Sequence, residues 1–213
     1  MMIHINRNMG TEKLDTEVRQ EQLAQAALKL MTTLGLKGLS VARVARRVGL
    51  VPSAVYRHFE SKDELLDAVL EMIRKRLDAN VVQASQAATN ALQVLRRLVM
   101  AHVRMIRENE GILSVVFSDD VQNGRPERKA QVHSIIQGYL KKVAQIVSRG
   151  QRQGHIRPDV DPGTVSMMFL GLIQPAALLW HLSEGEFDVT QHVEKAWNLL
   201  SETLRHRDFS AAK

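Results

Sequence analysis

The sequence predicts an all-α fold of about nine helices, divided between a small N-terminal domain and a larger C-terminal one. Three observations predict it. Apolar residues recur at three- and four-residue spacing along most of the chain, and no run alternates in the manner of a strand. Hydrophobic residues make up 45% of the chain and aromatics only 4%, a composition led by Leu, Val, Ala and Met that suits helices better than sheets. Helix-capping residues (Ser40, Ser61, Asp161, Asp188) precede periodic segments, and Gly35, Gly49 and Gly185 follow them. A chain of 213 residues can bury a core without covalent staples. It contains no Cys, which excludes a disulfide framework, a zinc ribbon, an iron–sulfur cluster and a thiol nucleophile.

The elements follow in order. Leu23, Ala27, Leu30 and Leu34 share one face of a helix from Thr16 to Leu34, and Gly35 suits its left-handed C-cap. Ser40 caps a short helix from Val41 to Val48 that stops at Gly49. Pro52 sits in the first turn of another, ending near His58. Ser61 and Glu64 form a capping box that opens a longer helix with Leu65, Val69, Met72, Ile73 and Leu77 inward. Ala84 to Asn109 reads as one helix, with Ala91, Val94, Leu98, His102 and Met105 in a stripe. Gly111 to Ser118 is a short apolar helix, and Asp119 to Arg125 a polar break with a turn at Asn123-Gly124. Pro126 to Gln153 is a long helix, and Gly154 to Asp161 a connector. Asp161 with Pro162 starts the most apolar helix, to about Ser183, and Asp188 with Gln191 starts the last, to about His206. These units place a flexible arm at 1–15, a first domain at 16–62, a connecting helix at 63–80 and a second domain at 81–213.

Charge singles out one segment. The whole chain carries a net charge of +6. Lys37, Arg43, Arg46, Arg47, Arg57 and Lys62 stand against Glu60 alone, so the window 37–62 carries +5. Two short helices joined by a tight turn at Gly49, with small or aliphatic Ala42, Val44, Ala45, Val48 and Val55 between them, form a helix-turn-helix pattern. Such a motif lays its second helix in the major groove of double-stranded DNA, and cations around it neutralise phosphates. The outward residues of that helix are Pro52, Ser53, Ala54, Arg57 and His58. Arg57 suits guanine edges or phosphate, Ser53 and Ala54 allow close approach to bases, and Tyr56 and His58 suit phosphates. Lys62 beside the Ser61 cap lets an ammonium and a helix N-terminus share one phosphate. The competing reading is a solvated basic face on an ordinary small helix, with Tyr56 and Phe59 in the core.

The stretch from Val41 to Leu66 resembles the DNA-binding domain of TetR/AcrR-type transcriptional regulators. The helix ARVARRVGL and the segment VYRHFESKDELL carry the resemblance, which extends in detail from about Thr16 to Leu77. Beyond that, only the number and lengths of the helices match. The resemblance implies a homodimer in which Ser40, Arg43, Ser53, Ala54, Tyr56, Arg57, His58 and Lys62 face the operator, and it implies repression. The sequence departs from the family at Pro52, Ser53 and Ala54, where many members carry longer polar residues. Base readout is then thinner, with more reliance on Arg57 and DNA shape.

In the second domain, the run Val165 to Trp180 is apolar all round and must be covered on every side. It is shorter than a bilayer requires and contains Pro175, which reads as burial with a kink, so no membrane partner is expected. One side can face the core and the other a symmetry mate, which makes Leu172, Leu179, Trp197, Leu200 and Leu204 the expected dimer interface. The alternative is a central helix of a monomer. His102, Met105, Phe117, Tyr139, Met168 and Gln174, with Met167 and Trp180, are candidates for a pocket that takes a small hydrophobic effector, although Met at helical spacing is more often a core pattern. The histidines show no metal-ligand spacing, and no catalytic or nucleotide-binding fingerprint occurs. The expectation is a cytoplasmic regulator without enzymatic activity, metal or cofactor. A DNA-binding nucleoid-associated or partner-controlled factor without a small-molecule effector is the second reading.

Overall fold

The computed structural model describes residues 16–116, 118–122 and 124–205. Ten α-helices and one 3-10 turn make up the described chain: α1 (Thr16–Leu34), the turn Leu36–Gly38, α2 (Val41–Arg47), α3 (Pro52–Tyr56), α4 (Lys62–Gln86), α5 (Ala91–Glu108), α6 (Gly111–Val116), α7 (Asp119–Gln122), α8 (Pro126–Arg152), α9 (Pro162–Leu182) and α10 (Val189–Leu204). All nine helices expected from sequence are present, and α7 occupies the segment expected to be a polar break. The expected N-terminal arm, Phe117, Asn123 and His206 lie outside the described residues.

Capping chemistry sets most boundaries. The side chains of Ser40, Ser61, Asp161 and Asp188 accept hydrogen bonds from the backbone N–H groups of Arg43, Glu64, Thr164 and Gln191. The box at α4 closes one residue early, since Glu64 Oε2 accepts from Glu60 N at 2.8 Å. Gly35, Gly49 and Gly185 adopt φ of 63°, 71° and 93°, the left-handed conformation in which the chain leaves α1, α2 and α9. One boundary differs from expectation. The helix expected at Ala84–Asn109 is split, because α4 continues to Gln86 and Asn90 starts α5, its side chain accepting from Leu92 N at 2.9 Å. The connecting helix is therefore longer than 63–80.

Helices α1 to α3 and the start of α4 pack around Leu23, Ala27, Met31, Val44, Val55, Phe59 and Leu66, all buried. α4 then runs into the second domain and packs on both α5 and α8. The second core is crossed by a chain of rings, one from each of four helices. His102 of α5 meets Tyr139 of α8 at 5.3 Å, Tyr139 meets Phe169 of α9 at 6.5 Å, and Phe169 meets Trp197 of α10 at 6.3 Å. Such edge and tilted contacts add to the area that each ring buries. The connector before α9 is tied to the end of α10, where Arg157 N donates to Leu204 O at 3.0 Å.

Candidate DNA interface and effector cavity

Helices α2 and α3 present the residues expected to face DNA. Ser53, Tyr56 and Arg57 are exposed, while Ser40, Ala54 and Lys62 are half-buried. Arg43 is exposed and also braces the motif, its Nη1 donating to Gly38 O at 2.6 Å. Ser40 spends its hydroxyl on the α2 cap, accepting from Arg43 N at 3.3 Å. His58 is half-buried with Nδ1 turned inside and unpartnered among the described residues, so its ring has less to offer phosphates than its position in sequence suggests. Phe59 is core, whereas Tyr56 is 52% exposed. Arg47 lines a groove with Gln25 and Arg76, on the side of the motif that faces α1 and α4. Among the described residues, none of Lys37, Arg43, Arg46, Arg47, Arg57 and Lys62 forms an ion pair. Their charge remains available for phosphates.

The second site is a cavity of about 80 Å³ between α4, α5, α6, α8 and α9. Four expected pocket residues line it: His102, Met105, Tyr139 and Gln174. Met168 does not, because it projects from the outer face of α9 and is 51% exposed. Met167 is likewise exposed, and Trp180 lies outside the lining. Leu70, Ile73 and Leu77 of α4 and Ile112, Leu113 and Val116 of α6 complete much of the wall, and periodicity alone marks them only as core. His102 Nδ1 and Tyr139 Oη are 3.1 Å apart in this apolar setting. Burial lowers the pKa of the His102 imidazole to about 4 and pushes that of the Tyr139 phenol above its ordinary value. Both groups are neutral at pH 7.

Two clusters of polar contacts beside the cavity tie α8 to the start of α4, and α1 to α4 and α5. Arg128 of α8, almost fully buried, donates from Nη2 to Asp63 Oδ1 at 2.9 Å and from Nε to Asp67 Oδ1 at 3.3 Å, and Arg125 Nη2 reaches Asp63 at 2.6 Å. The hydrogen bond from Arg128, assisted by the charges of Arg125, Arg128 and Lys62, holds the Asp63 carboxyl below its usual pKa. On the opposite side, Arg76 of α4 donates to Gln25 of α1 and, at 2.7 Å, to Asn109 at the end of α5, while Asn109 Nδ2 donates to Met105 O at 2.8 Å. The one sequence signal is electrostatic: Arg125 and Arg128 lie at a helix N-terminus, where a cation is unfavourable unless paired.

The expected dimer face is corrected in part. Trp197, Leu200 and Leu204 are at most 6% exposed and belong to the core of the subunit, because the apolar face of α10 turns inward against α5 and α9. Leu172 is half-buried. Leu179 is exposed on α9 together with Met167, Met168, Leu178 and Leu182, and Leu199 of α10 is 69% exposed. By length and composition α9 could cross a membrane, yet its inner face is built into the core through Val165, Phe169, Ile173 and Ala177. It continues through Pro175, which is exposed.

Residues 23–69 match the family described as bacterial regulatory proteins, tetR family, and residues 64–203 match the YsiA-like protein, C-terminal region. The chain belongs to the TetR family of transcriptional regulators. As a TetR-family member it is a DNA-binding regulator, and the helix-turn-helix of α2 and α3 is its DNA-binding motif. Its family and fold are those of regulators rather than enzymes. Among curated relatives, it is 22% identical over 190 residues to nucleoid occlusion factor SlmA of Photobacterium profundum, covering 89% of this chain and 96% of that protein. Among solved structures, the fatty acid degradation regulator FadR of Bacillus halodurans matches with a TM-score of 0.74 and 21% identity, over 89% of this chain and 97% of that one. FadR of Bacillus subtilis, solved in complex with stearoyl-CoA, matches with a TM-score of 0.71 and 18% identity, over 86% and 98%. At these identities the structural likeness is one of fold.

Proposed function

We propose that this TetR-family chain is a cytoplasmic, homodimeric repressor that binds a palindromic operator and releases it when a small, largely hydrophobic effector fills the second-domain cavity. The observation that carries this reading is the cavity itself, whose walls include α4, which begins at the DNA-binding motif, and α6, which packs on α1 of the first domain. α4 lines it with Leu70, Ile73 and Leu77 and begins at Lys62, the residue expected from sequence to reach phosphate. α6 lines it with Ile112, Leu113 and Val116 and lies against α1 so closely that a Cβ on Gly111 would stand 2.3 Å from Leu28 O.

At about 80 Å³ the cavity is smaller than the ~150 Å³ engineered void that admits benzene. A larger effector must push its walls apart, and α4 and α6 are two of the five helices that form them. The effector then prefers the conformation in which the recognition helices are displaced, which is the condition for shifting the population toward it. Operator contact falls to Ser40, Arg43, Ser53, Ala54, Tyr56, Arg57, His58 and Lys62. A second copy would cover the exposed apolar stripe of α9 (Met167, Met168, Leu178, Leu179 and Leu182) together with Leu199. Two recognition helices related by a two-fold axis would then meet successive major grooves.

The test is selection of binding sites from random duplexes, followed by fluorescence anisotropy of the selected duplex with and without apolar compounds. A palindromic site and effector-driven release are expected; an unstructured site preference, or binding that no apolar compound weakens, overturns the reading. The likeness to nucleoid occlusion factor SlmA supports a second reading, a nucleoid-associated DNA-binding factor without a small-molecule effector. Many scattered chromosomal sites, with no release by small molecules, would favour it.

A further inference from the structure

We propose that the effector presents an uncharged oxygen, the carbonyl of an ester, thioester or ketone, to the His102–Tyr139 pair, and that this pair selects such molecules over free carboxylates and plain hydrocarbons. The inference rests on the cavity being the effector site, as proposed above. Among the described side chains lining the cavity, only His102, Tyr139 and Gln174 offer strong hydrogen-bonding groups, and none is cationic at neutral pH. His102 Nδ1 and Tyr139 Oη, 3.1 Å apart, share one hydrogen bond. The proton in that bond belongs either to Tyr139, which leaves N–H on His102 Nε2, or to His102 Nδ1, which leaves the phenolic O–H free. In both arrangements the pair retains one donor that the shared bond does not use.

An unpaired donor in an apolar space is costly, and a carbonyl oxygen from the ligand relieves that cost. A hydrocarbon of the same length leaves the donor unpaired. A carboxylate would accept the bond but carry its charge into a space without a counter-ion, since burial keeps His102 in its neutral form. Lys29, Arg76 and Arg104 line an outer groove that shares Met105 with the cavity, and none of them lines the cavity itself. A site built around a hydrogen-bond donor rejects analogues that cannot accept from it far better than an apolar site rejects a change of size.

The test titrates the full chain with methyl decanoate, sodium decanoate and undecane, following the fluorescence of the two tryptophans, one of which, Trp197, packs against Phe169 beside Tyr139. The ester is expected to bind about tenfold or more tightly than either of the others. Tyr139→Phe keeps the ring and removes the oxygen, and His102→Leu removes the imidazole. A neutral imidazole or a free phenol still supplies one donor, so either change alone leaves part of the preference. The two together should lower ester affinity by about tenfold, leave undecane within about twofold, and so erase the preference. If the double variant does not fold, the order of the three ligands on the unaltered chain decides. Equal binding of ester and undecane, tighter binding of decanoate, or a preference unchanged in the double variant overturns this inference and leaves the cavity standing as the effector site. Binding by none of the three overturns the cavity assignment, and this inference with it.

Discussion

The two ends of the molecule use positive charge in opposite ways. Around α2 and α3 the cations Lys37, Arg43, Arg46, Arg47, Arg57 and Lys62 have no carboxylate partners among the described residues. In and around the second domain, Arg128 pairs with Asp63 and Asp67, Lys142 with Asp78, and Arg96 with Glu194. Several of these pairs tie one helix to another. Charge left unpaired on a small, locally capped motif is charge kept for a polyanion. Charge paired between long helices fixes how those helices sit, and so fixes what a ligand between them must disturb.

The largest test of this contrast removes free charge. Replacing Arg43, Arg57 and Lys62 by Ala should weaken duplex binding at least about a hundredfold and flatten the salt dependence by about one unit for each phosphate no longer neutralised. Anisotropy titrations over a range of salt read both effects, and an unchanged slope would remove these residues from the interface. Next is the junction. Gly111→Ala places a Cβ 2.3 Å from Leu28 O and must force α6 away from α1, with an expected loss of about 3 kcal/mol in urea unfolding.

His102 gives a pH signature. Its pKa is about 4 in the folded protein against 6.5 when unfolded, so the unfolded chain takes up the proton first. The contribution of His102 to stability is complete above pH 6.5 and is lost as pH falls toward 4, by up to about 3 kcal/mol. His102→Leu should flatten the stability–pH curve in that window; an unaltered curve would show that the imidazole is not buried as described. Smaller still is Arg128→Met, expected to cost about 1 kcal/mol, because Asp63 and Asp67 are both more than a third exposed and water takes over much of their solvation. Since the Asp63 pKa is lowered in the fold, the clamp loses its contribution as pH falls below the usual carboxylate range, and the variant should converge on the parent there. Lys142→Ala is expected to leave DNA affinity unchanged within about twofold, as a paired cation far from the motif should.

How legible each feature is in the sequence follows from the range of its cause. Ser40, Ser61, Asp161 and Asp188 cap their own helices within three residues, so the boundaries they set can be read directly. The join between α4 and α5 cannot, because Ala84 and Ala91 continue the same apolar stripe and Asn90 is a weak signal within it. Trp197, Leu200 and Leu204 form a clean apolar face on α10, yet a face does not state whether it meets its own core or another copy. Four pocket residues are legible because His102, Tyr139 and Gln174 are polar within apolar stripes and Met105 falls on the His102 stripe. Leu70, Leu113 and Val116 are invisible as lining residues because any core leucine or valine looks the same.

The sequence by itself determined most of the helices, their caps, and the basic helix-turn-helix, since all of these depend on neighbours within a few residues and on local charge. The tertiary structure alone decided which apolar faces close on each other, where about 80 Å³ is left unfilled, that Arg128 ties α8 to the start of α4, and that Arg76 ties α4 to α1 and to the end of α5. Those contacts link residues 33 to 65 positions apart, and only the packing of long helices brings such residues together.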